Sequence, residues 1–273
     1  MTEALFALDG VSVDYGDDRV ALAELDLVIA AGERLVLLGA NGCGKTTLLK
    51  LLDALVPPSR GSLRVEGRPL DAAQLAHGEF AREFRRRVAL MFQHPEAMLF
   101  NPTVEEEIGF GLRHLPADEA RDRVRRWAAV MRLERHLGEH PSRLSGGEKQ
   151  RLCLACLLAL EPDVLLLDEP TANLDPRTVG WLIDWLGERS ITTVVATHHM
   201  ALAPELGRRA VILSEAHRLA FDGPVGDALA DLDLLLENNL AHRHRHEHGG
   251  VVHEHVHGHP VWGPARDPGW GHS

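Results

Sequence analysis

Three short stretches carry side chains whose types and spacing could do chemistry. The first is GANGCGKTT, Gly39 to Thr47, where Gly39, Gly42 and Gly44 are interleaved with Asn41 and Cys43 ahead of Lys45, Thr46 and Thr47. Glycines let the backbone curl until several N–H groups face one anion, and a helix starting at Lys45 would aim its positive end at the same place. The spacing is that of the phosphate loop G-x-x-x-x-G-K-[ST]. Lys45 would add a full charge near the β- and γ-phosphates of a nucleotide, and the Thr46 hydroxyl can ligate Mg2+. The second stretch is VLLLDEP, Val164 to Pro170, an apolar run that ends in Asp168 and Glu169. Open α/β sheets bind ligands at the C-terminal ends of their strands. There Asp168 would hold Mg2+ through water, and Glu169 would polarise an attacking water as general base. The third stretch holds two alternating quartets, His242, His244, His246, His248 and His253, His255, His257, His259. Neutral imidazole is a good ligand for Ni2+, Co2+, Zn2+ and Cu2+, but the affinity order favours Cu2+ over Ni2+ over Co2+ whatever the count, so the quartets do not select an ion.

Elements must position these groups. Residues 1–38 alternate apolar and polar side chains with Gly and Asp at the turns, which predicts strands, the last running straight into the glycine loop. Thr46 to Leu55 has helical period, and Pro57-Pro58 stops it. SLRVEGRPL predicts a hairpin, 73–87 a charged helix, and VALMFQ a strand. Residues 103–160 carry helical patterning, and strand signals return at VLLLDE, TTVVAT and RAVIL. Strands alternating with helices predict a parallel α/β core with a helical insertion at about 95–160. After about Leu240 the chain lacks the apolar surface to fold alone, so a folded domain of 1–240 followed by a flexible tail, 241–273, is expected.

Composition narrows the class. A net charge of −11 argues against a general nucleic-acid binder. No apolar run approaches the ~18 residues needed to span a bilayer, and no secretory signal pattern opens the chain. Three cysteines are too few for a disulfide scaffold. Cys153 and Cys156, three apart in an apolar helical run, read as core thiols, and a reducing cytosol fits.

Residues 144–151 read LSGGEKQR. With the phosphate loop before it, and the Asp168-Glu169 pair and a histidine after it, this stretch resembles the signature of the ATP-binding-cassette (ABC) ATPases over about residues 3–235. The resemblance implies a P-loop NTPase cassette: a RecA-like parallel sheet core, an N-terminal antiparallel β subdomain and a helical signature subdomain. It implies that Tyr15 stacks on adenine, that Gln93 touches Mg2+ and the water and reports to a membrane partner, and that His198 contacts the γ-phosphate. It further implies that Leu144, Ser145, Gly146, Gly147 and Glu148, with Asp175 of the crossing loop 173–175, serve the ATP of a second cassette, so that two MgATP are clamped between two cassettes. The chain departs from the pattern at Ala40, at Cys43, whose thiol is expected to have a lowered pKa beside the cationic loop, and at His199.

QHPEAMLFNPTVEEEIGFGL, Gln93 to Leu112, is similar to the energy-coupling-factor importers, and LLLENNLAHRHRHEH looks like their cobalt/nickel branch. That resemblance implies an ATPase subunit on the cytoplasmic face of a membrane, paired with an identical or related cassette and with integral membrane subunits, and possible Ni2+ or Co2+ on the tail. Leu99 and Phe100 are candidates for the apolar contact with the membrane subunit or for packing within the helical subdomain; Glu105 to Glu107 read as a solvated first turn. The alternatives are an importer of zinc or a vitamin with an incidental tail, and a soluble cassette ATPase outside transport.

Overall fold

The structure, a computed structural model, describes residues 4–16, 19–71, 74–75, 78–248 and 251–258, the last stretches of the tail as backbone. Two sheets are stacked about the phosphate-loop helix. β1 (Ala4–Asp14), β2 (Val20–Ala30), β4 (Arg60–Val65) and β5 (Arg68–Pro69) form an antiparallel sheet in the order β2-β1-β4-β5. The second sheet has the order β10-β9-β3-β8-β7-β6. In it β3 (Arg34–Gly39), β6 (Val88–Met91), β7 (Val164–Asp168), β8 (Thr192–Ala196) and β9 (Arg209–Leu213) run parallel. β10 (Leu219–Pro224) closes one edge antiparallel to β9.

The parallel strands are near-continuous apolar runs because both of their faces are covered. Along β3 the two-residue period divides the side chains cleanly. Leu35 and Leu37 enter a core shared with the antiparallel sheet and α1 (Lys45–Leu52). Val36 and Leu38 enter a second core shared with the helical insertion. That insertion comprises α3 (Val104–Gly109), α4 (Ala117–Val130) and α5 (Gly146–Ala159), and follows α2 (Gly78–Arg87) and β6. α4 buries a stripe of Val124, Trp127 and Ala128, whereas α5 is buried on nearly every side.

Elements beyond those expected from the pattern are β10, α6 (Pro176–Gly187), α7 (Ala203–Leu206), α8 (Val225–Ala230) and α9 (Leu232–Glu237). In the tail, β11 (Ala241–His248) and β12 (Val251–Gly258) pair antiparallel. Alternation of period two, with Val251, Val252 and Val256 in the second strand, favours extended backbone. The register sets His242 opposite His257, His244 opposite His255 and His246 opposite His253. His259 lies outside the described residues.

Candidate functional site

The phosphate loop leaves β3 and enters α1, and Gly44 is the residue that permits the turn. Its φ is +114°, and a Cβ there would collide with the carbonyl of Ala21 on β2. The loop opens onto a cavity of ≈ 710 Å³ lined by Tyr15, Asn41, Gly42, Gly44, Lys45, Thr46, Thr47, Gln93, Asp168 and Glu169 of the expected residues. Gly39 and Cys43 stand behind that wall. The Gly39 and Ala40 carbonyls accept from Lys45 Nζ at 2.7 and 3.0 Å, which holds the buried ammonium against the loop.

β7 delivers the carboxylates to the same cavity. Asp168 is 2% exposed, and burial raises its pKa against the opposing pull of a hydrogen bond from Thr46 Oγ1 at 2.6 Å. A carboxylate and a hydroxyl side by side, with the Gln93 amide on the cavity wall, form a hard-oxygen set that fits Mg2+. Glu169 takes a left-handed conformation, φ 51°, and its N–H donates to Ala196 O at 2.9 Å. His198 Nδ1 lies 2.7 Å from its Oε1, and Thr197 Oγ1 donates to its Oε2 at 3.3 Å. Both oxygens of this buried carboxylate are thereby oriented. The His199 ring lies against that of His198, centroids 4.3 Å apart, and its pKa is lowered by burial and then by His198. Tyr15 is half exposed, with its hydroxyl 3.4 Å from Thr47 Oγ1.

The signature residues do not line this cavity. Ser145 is the N-cap of α5 in a reciprocal capping box: Glu148 Oε2 accepts from the Ser145 N–H at 2.9 Å and from its hydroxyl at 2.7 Å. Those two donors hold the Glu148 pKa below its ordinary value. Ser145 and Gly146 are exposed, and Leu144 is buried beneath them. Asp175 caps α6, accepting from Thr178 N at 3.1 Å and Thr178 Oγ1 at 2.6 Å, which lowers its pKa.

Two expectations are corrected. The Cys43 pKa is raised, not lowered, because burial at 1% exposure outweighs the Lys45 charge. Glu107 is not solvated: it is 4% exposed, and its carboxylate accepts from Phe100 N, Asn101 N and Asn101 Nδ2 at 2.7–3.1 Å. Leu99 and Phe100 part company, Leu99 packing on the core while Phe100 is 65% exposed and meets Phe110 edge to face at 4.7 Å. Cys153 is a core thiol as expected, its pKa pushed up to about 12 by burial.

Sequence reasoning missed Arg19, Lys50 and His217 on the cavity wall and Thr197 behind Glu169. It also missed Gln150, whose buried amide donates to Pro170 O at 3.1 Å and ties the signature helix to the loop after Glu169. Among the described residues no group of three or more His, Cys, Asp or Glu is arranged to hold a metal ion, and no helix is long and apolar enough to cross a membrane.

A glycine cradle, a buried carboxylate pair and a capped helix in a separate insertion define a P-loop ATPase of the cassette class. A family model described as "ABC transporter" matches residues 22–172. A protein of Methanosarcina acetivorans, named as an ABC transporter ATP-binding protein with no cargo in the name, is 41% identical over 90% of this chain and 92% of its own. The nickel import ATP-binding protein NikO of Rhodobacter capsulatus is 43% identical over 88% of this chain and 96% of its own. The ATP-binding cassette MJ0796, solved as a dimer in a post-hydrolysis state with ADP and Pi, superposes with a TM-score of 0.70 at 27% identity, covering 81% of this chain and 98% of that one. The chain belongs to the ABC transporter family and is one of its ATP-hydrolysing cassettes.

Proposed function

We propose that this cassette works as a pair, closing head to tail on two MgATP, and that it drives a membrane importer of nickel or cobalt. The observation that carries the pairing is the division of the anion-binding groups. Gly42 and Gly44 to Thr47 line the nucleotide cavity, while the exposed N-terminus of α5 at Ser145 and Gly146 does not. A helix N-terminus favours a phosphate, and a second copy would bring this one to the γ-phosphate that the first copy holds. Asp175, at the head of α6, would lie in the same junction.

The roles follow from the geometry. Lys45 exchanges its two carbonyl partners for phosphate oxygens. Thr46, Asp168 and Gln93 would hold Mg2+, which when bound neutralises charge on the β- and γ-phosphates. Glu169, oriented by Thr197 and His198, accepts the proton of the attacking water. His198 leaves the Glu169 carboxylate to meet the γ-phosphate, so the same ring senses whether the terminal phosphate is present. Tyr15 swings from Thr47 onto the adenine. Loss of the shared phosphate contact lets the two copies separate, a rigid-body motion that membrane subunits can use. The exposed pair Phe100 and Phe110, with Arg113 stacked 4.3 Å over Phe110, is the surface we assign to the membrane partner.

The cargo rests on the tail and on NikO. His242, His244 and His246 stand opposite His257, His255 and His253 in register, which concentrates imidazole-bearing positions on one ladder. The pairing is tested by Glu169→Gln with saturating MgATP in sedimentation velocity. The variant should bind ATP, turn over at least about 100-fold more slowly, and sediment as a dimer; a monomer at every concentration would overturn the paired mechanism.

A further inference from the structure

The turn between β9 and β10 brings a histidine to the nucleotide cavity. His217 has φ 61°, a left-handed conformation that is uncommon for any residue but glycine. Three contacts hold it there. Its N–H donates to Ser214 O at 2.9 Å, its carbonyl accepts from Ala23 N at 2.9 Å, and the neighbouring Arg218 pairs with Glu24 at 2.6 Å. β2 and the turn thus fix each other, and the ring stands beside the phosphate loop with Nδ1 3.2 Å from Cys43 O.

That hydrogen bond determines what the rest of the ring can do. A carbonyl oxygen only accepts, so Nδ1 carries the proton and donates. The neutral ring is left with Nε2 as a bare acceptor. The same residue lines the cavity together with Tyr15, Arg19, Val20 and Ala21, and its carbonyl is tied to Ala23 of β2. An acceptor there has nothing to offer phosphate oxygens, which are acceptors themselves. It suits the donors on the nucleoside half of the ligand.

We propose that His217 is a specificity-determining residue of the nucleotide site, whose Nε2 accepts a hydrogen bond from a donor on the nucleoside: the exocyclic amine of adenine or a ribose hydroxyl. The proposal rests on the assignment of this cavity to ATP. A side chain held in the left-handed region at a functional site is often held for a purpose, and here the turn delivers an imidazole to the cavity wall.

The backbone supplies a clean test. Glycine adopts φ 61° freely, so His217→Gly removes the ring without disturbing the turn. Asparagine also tolerates the conformation and retains a carbonyl acceptor, so His217→Asn is the conservative partner. KM and kcat are measured for both variants and the unaltered chain with ATP, with ITP (a carbonyl in place of the 6-amine), and with 2′-deoxy- and 3′-deoxy-ATP. The expected result is a KM for ATP about threefold to tenfold higher in His217→Gly, the worth of one hydrogen bond, with the effect falling on KM rather than kcat. The analogue lacking the recognised donor shows no such rise, so its penalty relative to ATP disappears in the variant, and His217→Asn restores part of it. Preservation of every ATP-to-analogue ratio in His217→Gly overturns the proposal. An equal rise for all four nucleotides does so too, because it assigns the ring to the phosphate loop alone. A cavity that takes no nucleotide in the unaltered chain would instead sink the ATP assignment itself.

Discussion

Cys43 lies two residues before Lys45, and a nearby ammonium favours a thiolate. Its Sγ is 4.0 Å from Lys45 Nζ, yet the side chain is 1% exposed, and desolvation raises its pKa beyond what the cation can lower. Iodoacetamide at pH 8 should therefore modify Cys43 more slowly than a peptide cysteine, because the thiol is both shielded and less ionised. Peptide mapping by mass spectrometry reads the rate, and prompt alkylation would show that the thiol is not held as the structure has it. Asp53, just past α1, makes the same point with a carboxyl. Burial pushes its pKa up to about 7, with Arg85 opposing. Its unfolded value lies near 4, so between about pH 4 and 7 the folded chain binds more protons than the unfolded one, and stability falls as pH rises through that window. Asp53→Asn should remove that slope and stabilise the fold by about 1–3 kcal/mol at pH 8 while changing little at pH 4. Urea denaturation at the two pH values decides it; equal gains at both would rule out the carboxyl's ionisation as the cause.

At the scale of elements, Glu107 shows how one side chain can build a loop. It sits on α3, and its carboxylate accepts from two backbone N–H groups and the Asn101 amide, folding residues 100 and 101 back over the helix start. Glu107→Ala leaves those donors unmet and should cost about 1–3 kcal/mol, seen as a lower Tm and faster proteolysis near Phe100. A Tm equal to that of the unaltered chain would show that the loop stands without it. Run together with its neighbours as EEE, Glu107 reads as solvent-facing; only the return of the chain from 100 and 101 makes it buried. The same distinction separates what was legible in the sequence from what was not. The phosphate loop and Asp168-Glu169 were legible because each motif is local, and the strands β3, β7, β8 and β9 because burial on both faces leaves apolar runs. Thr197, Gln150 and His217 were not, since their partners lie 28, 20 and 174 residues away. β10 escaped notice because LAFDGP carries both Gly and Pro, and α8 and α9 because six residues are too few to display a helical period.

At the scale of the molecule, the tail begins where the second core ends. Leu240 and Ala241 are 4% and 6% exposed and belong to that core, while His242 is exposed and starts the run of alternating histidines. A truncation that keeps residues 1–241 therefore removes the histidine ladder without opening the core. The nucleotide cavity draws its wall from the loop after β3, from α1, from the loop after β6, from the end of β7 and from the turns beside β2 and β10, none of which lies beyond 241. The truncated cassette should hydrolyse ATP within about twofold of the full chain, its Tm being the control for folding. Ni2+ and Co2+ binding should behave oppositely. Equilibrium dialysis of the full chain should find ions bound by imidazole, and the truncated chain should lose them, because the described residues offer no other cluster of ligands. The two readouts separate the alternatives. Loss of ATPase with intact folding would make the tail part of the engine; metal binding unchanged by truncation would put the ligands elsewhere and remove the tail as support for a nickel or cobalt cargo. Retained hydrolysis with lost metal binding is what a cassette with an ion-holding appendage requires, since the fuel site and the ion site then share a chain without sharing a residue.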